Sequence, residues 1–288
     1  MSNPMDRVCS NGLLFDGAIG TMLISAGLGG GTPAERWILD RPEEISRVHR
    51  AYAQAGAEVV TTATFGGNAV KLKKAGLQDQ ADEINGRGAA LARDAAGTDC
   101  LVAGNMGPTG ELLSPSGTLR PEDAEACFAA QAKVLADGGV DFFLLQTFFD
   151  LNEILAAIRG VQWVSDLPIF ASMTFRNTPR GFATVMGNGP SESMAALVDA
   201  GASVVGANCS LGSDAMVELA GEIRQAVDIP VMAKPNAGVP SVENGRTTYS
   251  ETMETFTANM AKISALGVQV IGGCCGTTPE FIRRMAKR

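Results

Sequence analysis

Three cysteines carry the most specific chemistry in this sequence. Cys274 and Cys275 are adjacent, flanked by Gly272, Gly273 and Gly276, at the end of the apolar run Val268-Gln269-Val270-Ile271. Cys209 closes a second apolar run, Val204-Val205-Gly206-Ala207-Asn208. Neighbouring residues of a regular strand face opposite ways, so two adjacent thiols converge only where the backbone leaves the strand, which the glycines permit. Three thiolates suit zinc, with Zn–S bonds near ~2.3 Å, and three protein ligands leave a fourth position for water or substrate. A vicinal disulfide or inert buried thiols are the competing assignments. They lose ground only if the fold brings Cys209 to the pair.

The pattern of the chain predicts that it does. Four times a helical stretch ends at glycine, at positions 56, 139, 201 and 267, and an apolar run follows within a few residues. Glycine adopts the left-handed conformation past a helix end at little cost, and the runs have the two-sided hydrophobicity of parallel strands. The intervals are each long enough for two strand–helix units, so four more strands are expected, at 13–16, 101–104, 169–174 and 231–234. Pro168 and Pro230 precede the last two, where a missing amide donor is tolerated. Helices are expected at 42–54, 78–95, 121–137, 151–161, 191–199, 214–226, 250–265 and 279–287. Alternation of this kind predicts a parallel sheet, here a single (β/α)8 TIM barrel over residues 1–288.

In such a barrel every strand opens with its C-terminal end on the catalytic face. The runs ending at Cys209 and at Cys274-Cys275 then meet there. The same face collects Asp16, Gly17 and Ala18 after strand one, Thr64 and Phe65 at strand two, and Gln146 and Thr147 at strand four. Asn208 and, at strand seven, Asn236 join them. Gly17 suits exposed amides that face an anion. Two long loops, 26–41 and 107–119, follow strands onto this face, where long loops are often lids. Cys9, Cys100 and Cys127 fall elsewhere and are expected to be structural. The only histidine, His49, is mid-helix, with a surface or packing role, which removes histidine-based triads from consideration. The triple glycine 29–31 lacks the lysine of a phosphate loop.

Composition bounds the partners. The net charge is −8, from 23 basic and 31 acidic residues, with no basic block to neutralise phosphates, so nucleic acid is not an expected partner. No apolar run approaches the ~20 residues of a membrane span, and the polar start lacks a signal-peptide core. A cytoplasmic protein with reduced thiols or metal-ligating cysteines is expected.

Six stretches resemble the homocysteine S-methyltransferase family, and within it the homocysteine-binding module of cobalamin-dependent methionine synthases. They are Asp16-Gly17-Ala18-Ile19-Gly20-Thr21, Thr64-Phe65-Gly66-Gly67-Asn68, Gly107-Pro108-Thr109-Gly110, Gly206-Ala207-Asn208-Cys209, Pro235-Asn236-Ala237-Gly238 and Gly272-Gly273-Cys274-Cys275-Gly276-Thr277. The resemblance implies that Cys209, Cys274 and Cys275 bind zinc and that zinc binds the substrate sulfur. It also implies that Asp16, Gly17, Ala18 and Asn236 contact homocysteine, whose carboxylate meets amides of the Asp-Gly-Ala turn. Gln146 stands where the family usually has a glutamate for the substrate ammonium. A neutral amide offers no ion pair, and charge-assisted bonds are roughly twice as strong, so weaker homocysteine binding or another small thiol acceptor is implied.

The expected activity is zinc-dependent methyl transfer to a zinc-bound thiolate. The donor is methylcobalamin carried by a separate corrinoid protein, or a small betaine or sulfonium compound. A non-catalytic zinc-binding barrel and a metal-free aldolase-like barrel using Lys234 are the rival classes.

Overall fold

The computed structural model of the protein describes residues 3–243 and 246–287. Eight parallel strands form its centre: β1 Leu13–Leu14, β2 Val59–Thr61, β3 Leu101–Met106, β4 Phe142–Phe148, β5 Ile169–Met173, β6 Val204–Asn208, β7 Val231–Lys234 and β8 Val270–Ile271. Each pairs with its sequence neighbours, and β8 pairs back with β1. A parallel bridge between Phe15 and Val59 joins β1 to β2 and closes the ring. The (β/α)8 barrel expected from the sequence is the fold observed.

Strand periodicity explains both layers of the core. Leu13, Phe15, Val59, Leu101, Ala103, Phe142, Leu144, Phe170, Val204, Met232 and Val270 form one buried cluster inside the barrel. The residues between them, such as Val60, Val102, Phe143, Ala171, Val205 and Ala233, pack outward against the helices. Inside, Phe142 and Phe170 stack with ring centroids 4.2 Å apart. The helix Pro4–Asn11, absent from the sequence expectations, closes the bottom, with Val8 inside the inner cluster and Met5 against it.

Continuing the inward phase toward the C-terminal ends replaces apolar residues with polar ones. Two residues beyond Val59 is Thr61; beyond Ala103, Asn105; beyond Leu144, Gln146; beyond Phe170, Ser172; beyond Met232, Lys234. On β6 the phase reaches Asn208. A polar tier therefore caps the apolar interior and forms the floor of whatever binds above it.

The helices Pro42–Gln54 and Pro121–Asp137 begin at proline, whose fixed φ and missing amide suit a first helical position. Both match the sequence expectation at each end. Residues 26–41 contain a short helix, Arg36–Asp40, rather than loop alone. Two antiparallel hairpins follow β5 and β7: Arg176–Thr178 with Gly181–Ala183, and Pro240–Glu243 with Arg246–Tyr249. Among the described residues no helix is long and apolar enough to cross a membrane.

Candidate active site

The three cysteines meet. The Sγ atoms of Cys209, Cys274 and Cys275 all lie within 4.8 Å of one another, with Cys209 and Cys275 3.9 Å apart. None of the three is in a disulfide. Cys209 lies one residue past β6 with φ of 63°, and Ser210 follows at 59°. Positive φ is costly for residues with a Cβ and clusters at functional sites. Here it turns the Cys209 thiol away from the strand path toward the glycine-rich turn after β8. Thr147, the only other described non-glycine residue with positive φ, lies on the adjoining rim at the end of β4.

Backbone bonds lace the two cysteine segments to β1 and β7. The Cys209 amide donates to the Lys234 carbonyl (3.1 Å), the Cys274 amide to Pro235 (2.8 Å) and the Ala237 amide to the Cys275 carbonyl (2.9 Å). The Gly273 amide donates to the Asp16 carbonyl (3.1 Å). Thr277 locks the turn: its hydroxyl donates to the Cys274 carbonyl (2.7 Å) and accepts from the Ala18 amide (3.2 Å). A side chain at Gly273 would run into the Thr277 side chain. Gly276, at φ of 82°, lies under the Tyr249 ring, which the hairpin after β7 brings over the turn.

Crowding holds protons on these thiols. The Cys209 pKa is pushed up to about 12, first by its hydrogen bond with Cys274 and also by burial. That of Cys275 rises to about 11, first through Cys209 and then through burial. For Cys274, the bond with Cys209 pulls downward, but Cys275 and burial still raise it to about 12. A bound cation would offset the repulsion among three thiolates here.

The donor set fits zinc. Tetrahedral coordination with bonds near ~2.3 Å places sulfurs ~3.8 Å apart, close to the 3.9 Å between Cys209 and Cys275. Asn236 adds a buried side-chain oxygen without a partner, on the segment laced to Cys274 and Cys275.

A cavity of about 350 Å³ opens above the thiols, lined by Gly17, Ala18, Ile19, Glu35, Thr61, Phe65, Asn105, Gln146, Thr147, Lys234 and the three cysteines, among others. Of the residues expected from sequence, Gly17, Ala18, Phe65, Gln146, Thr147, Cys209, Cys274 and Cys275 line it. Asp16 and Thr64 are fully buried and do not. Asp16 Oδ2 accepts from the Thr61 amide (2.7 Å) and hydroxyl (2.9 Å), and burial raises its pKa. Thr64 lies in the turn beyond β2, its hydroxyl donating to the Asn105 carbonyl (2.9 Å). Asn208 and Asn236 stand behind the wall. Asn208 Oδ1 accepts from the Thr147 amide (2.8 Å) and Ser172 Oγ (2.6 Å), and its Nδ2 donates to Thr147 Oγ1 (2.7 Å) and Cys274 Sγ (3.7 Å).

Lys234, named in the sequence only for the aldolase-like rival, lines the cavity, as do Asn105, Thr61 and Glu35, which were not singled out. For the first three the signal was the two-residue phase of their strands. Glu35 had none: the chain folds it across to accept from the Gly66 amide (2.6 Å).

Comparison with known proteins gives a consistent picture. Residues 13–288 match the family model described as homocysteine S-methyltransferase. The methionine synthases of Mycobacterium leprae and Mycobacterium tuberculosis are each 30% identical over 300 residues, covering 98% of this chain. The chain spans only 24% and 25% of their respective lengths. Among solved structures, the metallated form of the Escherichia coli homocysteine methyltransferase MmuM superposes with a TM-score of 0.81 at 24% identity, covering 97% of this chain and 96% of that one. Its oxidised form gives 0.82 at 23% identity, covering 100% of both chains. At these identities the structural likeness establishes the barrel.

Proposed function

The chain belongs to the homocysteine S-methyltransferase family, and we propose on that footing that it methylates the sulfur of homocysteine, giving methionine, at a zinc site formed by Cys209, Cys274 and Cys275. Membership makes it a methyltransferase by class. The observation that carries the residue assignment is the convergence of Cys209 with the sequence-distant pair Cys274 and Cys275 at one cavity. Zinc held there would supply a Lewis acid favouring the thiolate form of an incoming sulfur, which a free thiol of pKa ~8.5 reaches only in small part at neutral pH.

The remaining work belongs to the protein. Asn208 orients Cys274 and the Thr147 turn together, and Thr277 fixes the Cys274 carbonyl against the Ala18 amide. Ile19, Ala34 and Phe65 form an apolar wall that limits water at the reacting sulfur. The acceptor sulfur gives up its proton to solvent as it binds and attacks the methyl carbon. The S–CH₃ bond forms as the donor–CH₃ bond breaks, the donor leaving with the electron pair. Positioning is the protein's main contribution. We propose a methylated corrinoid, carried by another module or protein, as the donor.

The test is metal analysis of the purified protein, followed by methylation of homocysteine from methylcobalamin-loaded protein, a betaine and a sulfonium compound. Stoichiometric zinc and methionine formation are expected. A zinc-free protein with full transferase activity would reject the proposal.

A further inference from the structure

Lys234 is a buried ammonium whose hydrogen-bonding capacity is largely unmet. It extends the inward phase of β7 past Met232, is 2% exposed and lines the cavity beside the three cysteines. An ammonium has three donors. Among the described residues the one hydrogen-bond acceptor in reach is Gln146 Oε1, at a long 3.4 Å, and the cation otherwise sits 4.8 Å from the centroid of the Phe15 ring. Burial lowers the Lys234 pKa, while Asp16 and then Cys274 attract the ammonium; Asp16 forms no ion pair with it, its Oδ2 being held by Thr61 and its Oδ1 buried without a hydrogen-bond partner. A buried cation with free donors facing a cavity is matched by an anionic ligand group.

The other polar groups around it favour the same assignment. Of the Asp-Gly-Ala turn amides expected to meet a substrate carboxylate, that of Ala18 is engaged by Thr277 Oγ1. Gln146 Nε2 donates to Asn105 Oδ1 at 2.7 Å, which turns the Gln146 carbonyl to Lys234 rather than to a ligand ammonium. Among the described residues Glu35 is the one carboxylate side chain lining the cavity, and its Oε1 is held by the Gly66 amide.

We infer that Lys234 receives the carboxylate of the acceptor, and that the site therefore accepts ω-mercapto carboxylates as a class, with or without the amino group of homocysteine. This rests on the methyltransferase assignment above, and it names what the site selects. Recognition runs through the acid end, and the amino group adds little.

Binding of three matched thiols to the zinc-containing protein tests it by titration calorimetry: homocysteine, its des-amino analogue γ-mercaptobutyrate and its decarboxylated analogue mercaptopropylamine. The two acids are expected to bind within about tenfold of each other, and the aminothiol roughly thirtyfold or more below them, the scale of a lost charge-assisted bond. Lys234→Met should weaken both acids by about thirtyfold and leave the aminothiol unchanged, with zinc content retained. Gln146→Glu, the second variant in case Lys234→Met fails to fold, should weaken γ-mercaptobutyrate by about tenfold as its carboxylate pairs with Lys234. γ-Mercaptobutyrate binding more than tenfold below homocysteine, as an ammonium partner at Glu35 would produce, overturns the inference. So do acid affinities that are unchanged in both variants. If none of the three thiols binds, the inference falls together with the thiol-acceptor assignment; if homocysteine binds in the wrong order of preference, the inference falls alone.

Discussion

Asn208 donates from Nδ2 to Cys274 Sγ at 3.7 Å, so a residue at the end of β6 orients a thiol that enters from the turn after β8. The same side chain accepts from the Thr147 amide and from Ser172. One amide thereby couples three strand ends to a candidate ligand. Partners behind metal ligands typically contribute about 10–100-fold in metal affinity or activity. Asn208→Leu is expected to weaken zinc retention by that order in a chelator competition, while circular dichroism stays that of the parent.

Gly273 makes room for the lock on the turn. Its Cα faces the Thr277 side chain so closely that a methyl group would overlap it. Thr277 in turn bonds the Cys274 carbonyl and the Ala18 amide. Gly273→Ala should displace Cys274 and release zinc during dialysis while the barrel remains folded. Parent-like zinc content in that variant would mean the turn has slack that its packing does not show.

The Gly107-Pro108-Thr109-Gly110 stretch is anchored rather than loose. Thr109 donates through its amide (2.7 Å) and hydroxyl (2.5 Å) to Glu153 Oε1, a buried carboxylate in the helix Leu151–Gln162. Glu153→Ala strands a buried amide and hydroxyl, which costs about 1–3 kcal/mol for each group left unsatisfied. A fall of several degrees in the melting temperature is expected, with zinc stoichiometry unchanged.

His49 sets an acid limit on stability. It is fully buried in the helix Pro42–Gln54 with both ring nitrogens unpartnered, and burial lowers its pKa from 6.5 to about 4. The folded pKa lies below the unfolded one, so the unfolded chain binds the extra proton between them. The stabilisation is full above about pH 6.5 and is lost progressively as pH falls toward about 4. Near pH 5 the loss is about 2 kcal/mol. Denaturant unfolding of His49→Phe near pH 7 and pH 5 should show this acid-side fall flattened; an unchanged fall would place its origin in other groups.

Much of this architecture was legible because hydrophobic burial writes itself into strands two residues at a time. The runs ending at Cys209 and Cys274, and the glycines at helix ends, were enough to expect eight strands and one rim. The polar tier required register as well as strand location. Lys234 was visible as a strand residue, yet its share in the cavity follows from its phase with Met232. Thr64 and Asp16 were expected at the rim but are turned inward to neighbouring strands, because the turn after β2 and the Thr61 amide claim them. Glu35 and Tyr249 arrive from loops whose paths depend on long-range contacts with Gly66 and Gly276, which no local pattern encodes.

The central claim is that Cys209, Cys274 and Cys275 hold zinc with a position open to an incoming thiol. X-ray absorption at the zinc edge of the purified protein, with and without homocysteine, tests it most directly. Three sulfur neighbours alone and four with homocysteine are the expected result. Absence of zinc, or a sulfur count that homocysteine leaves unchanged, would contradict it.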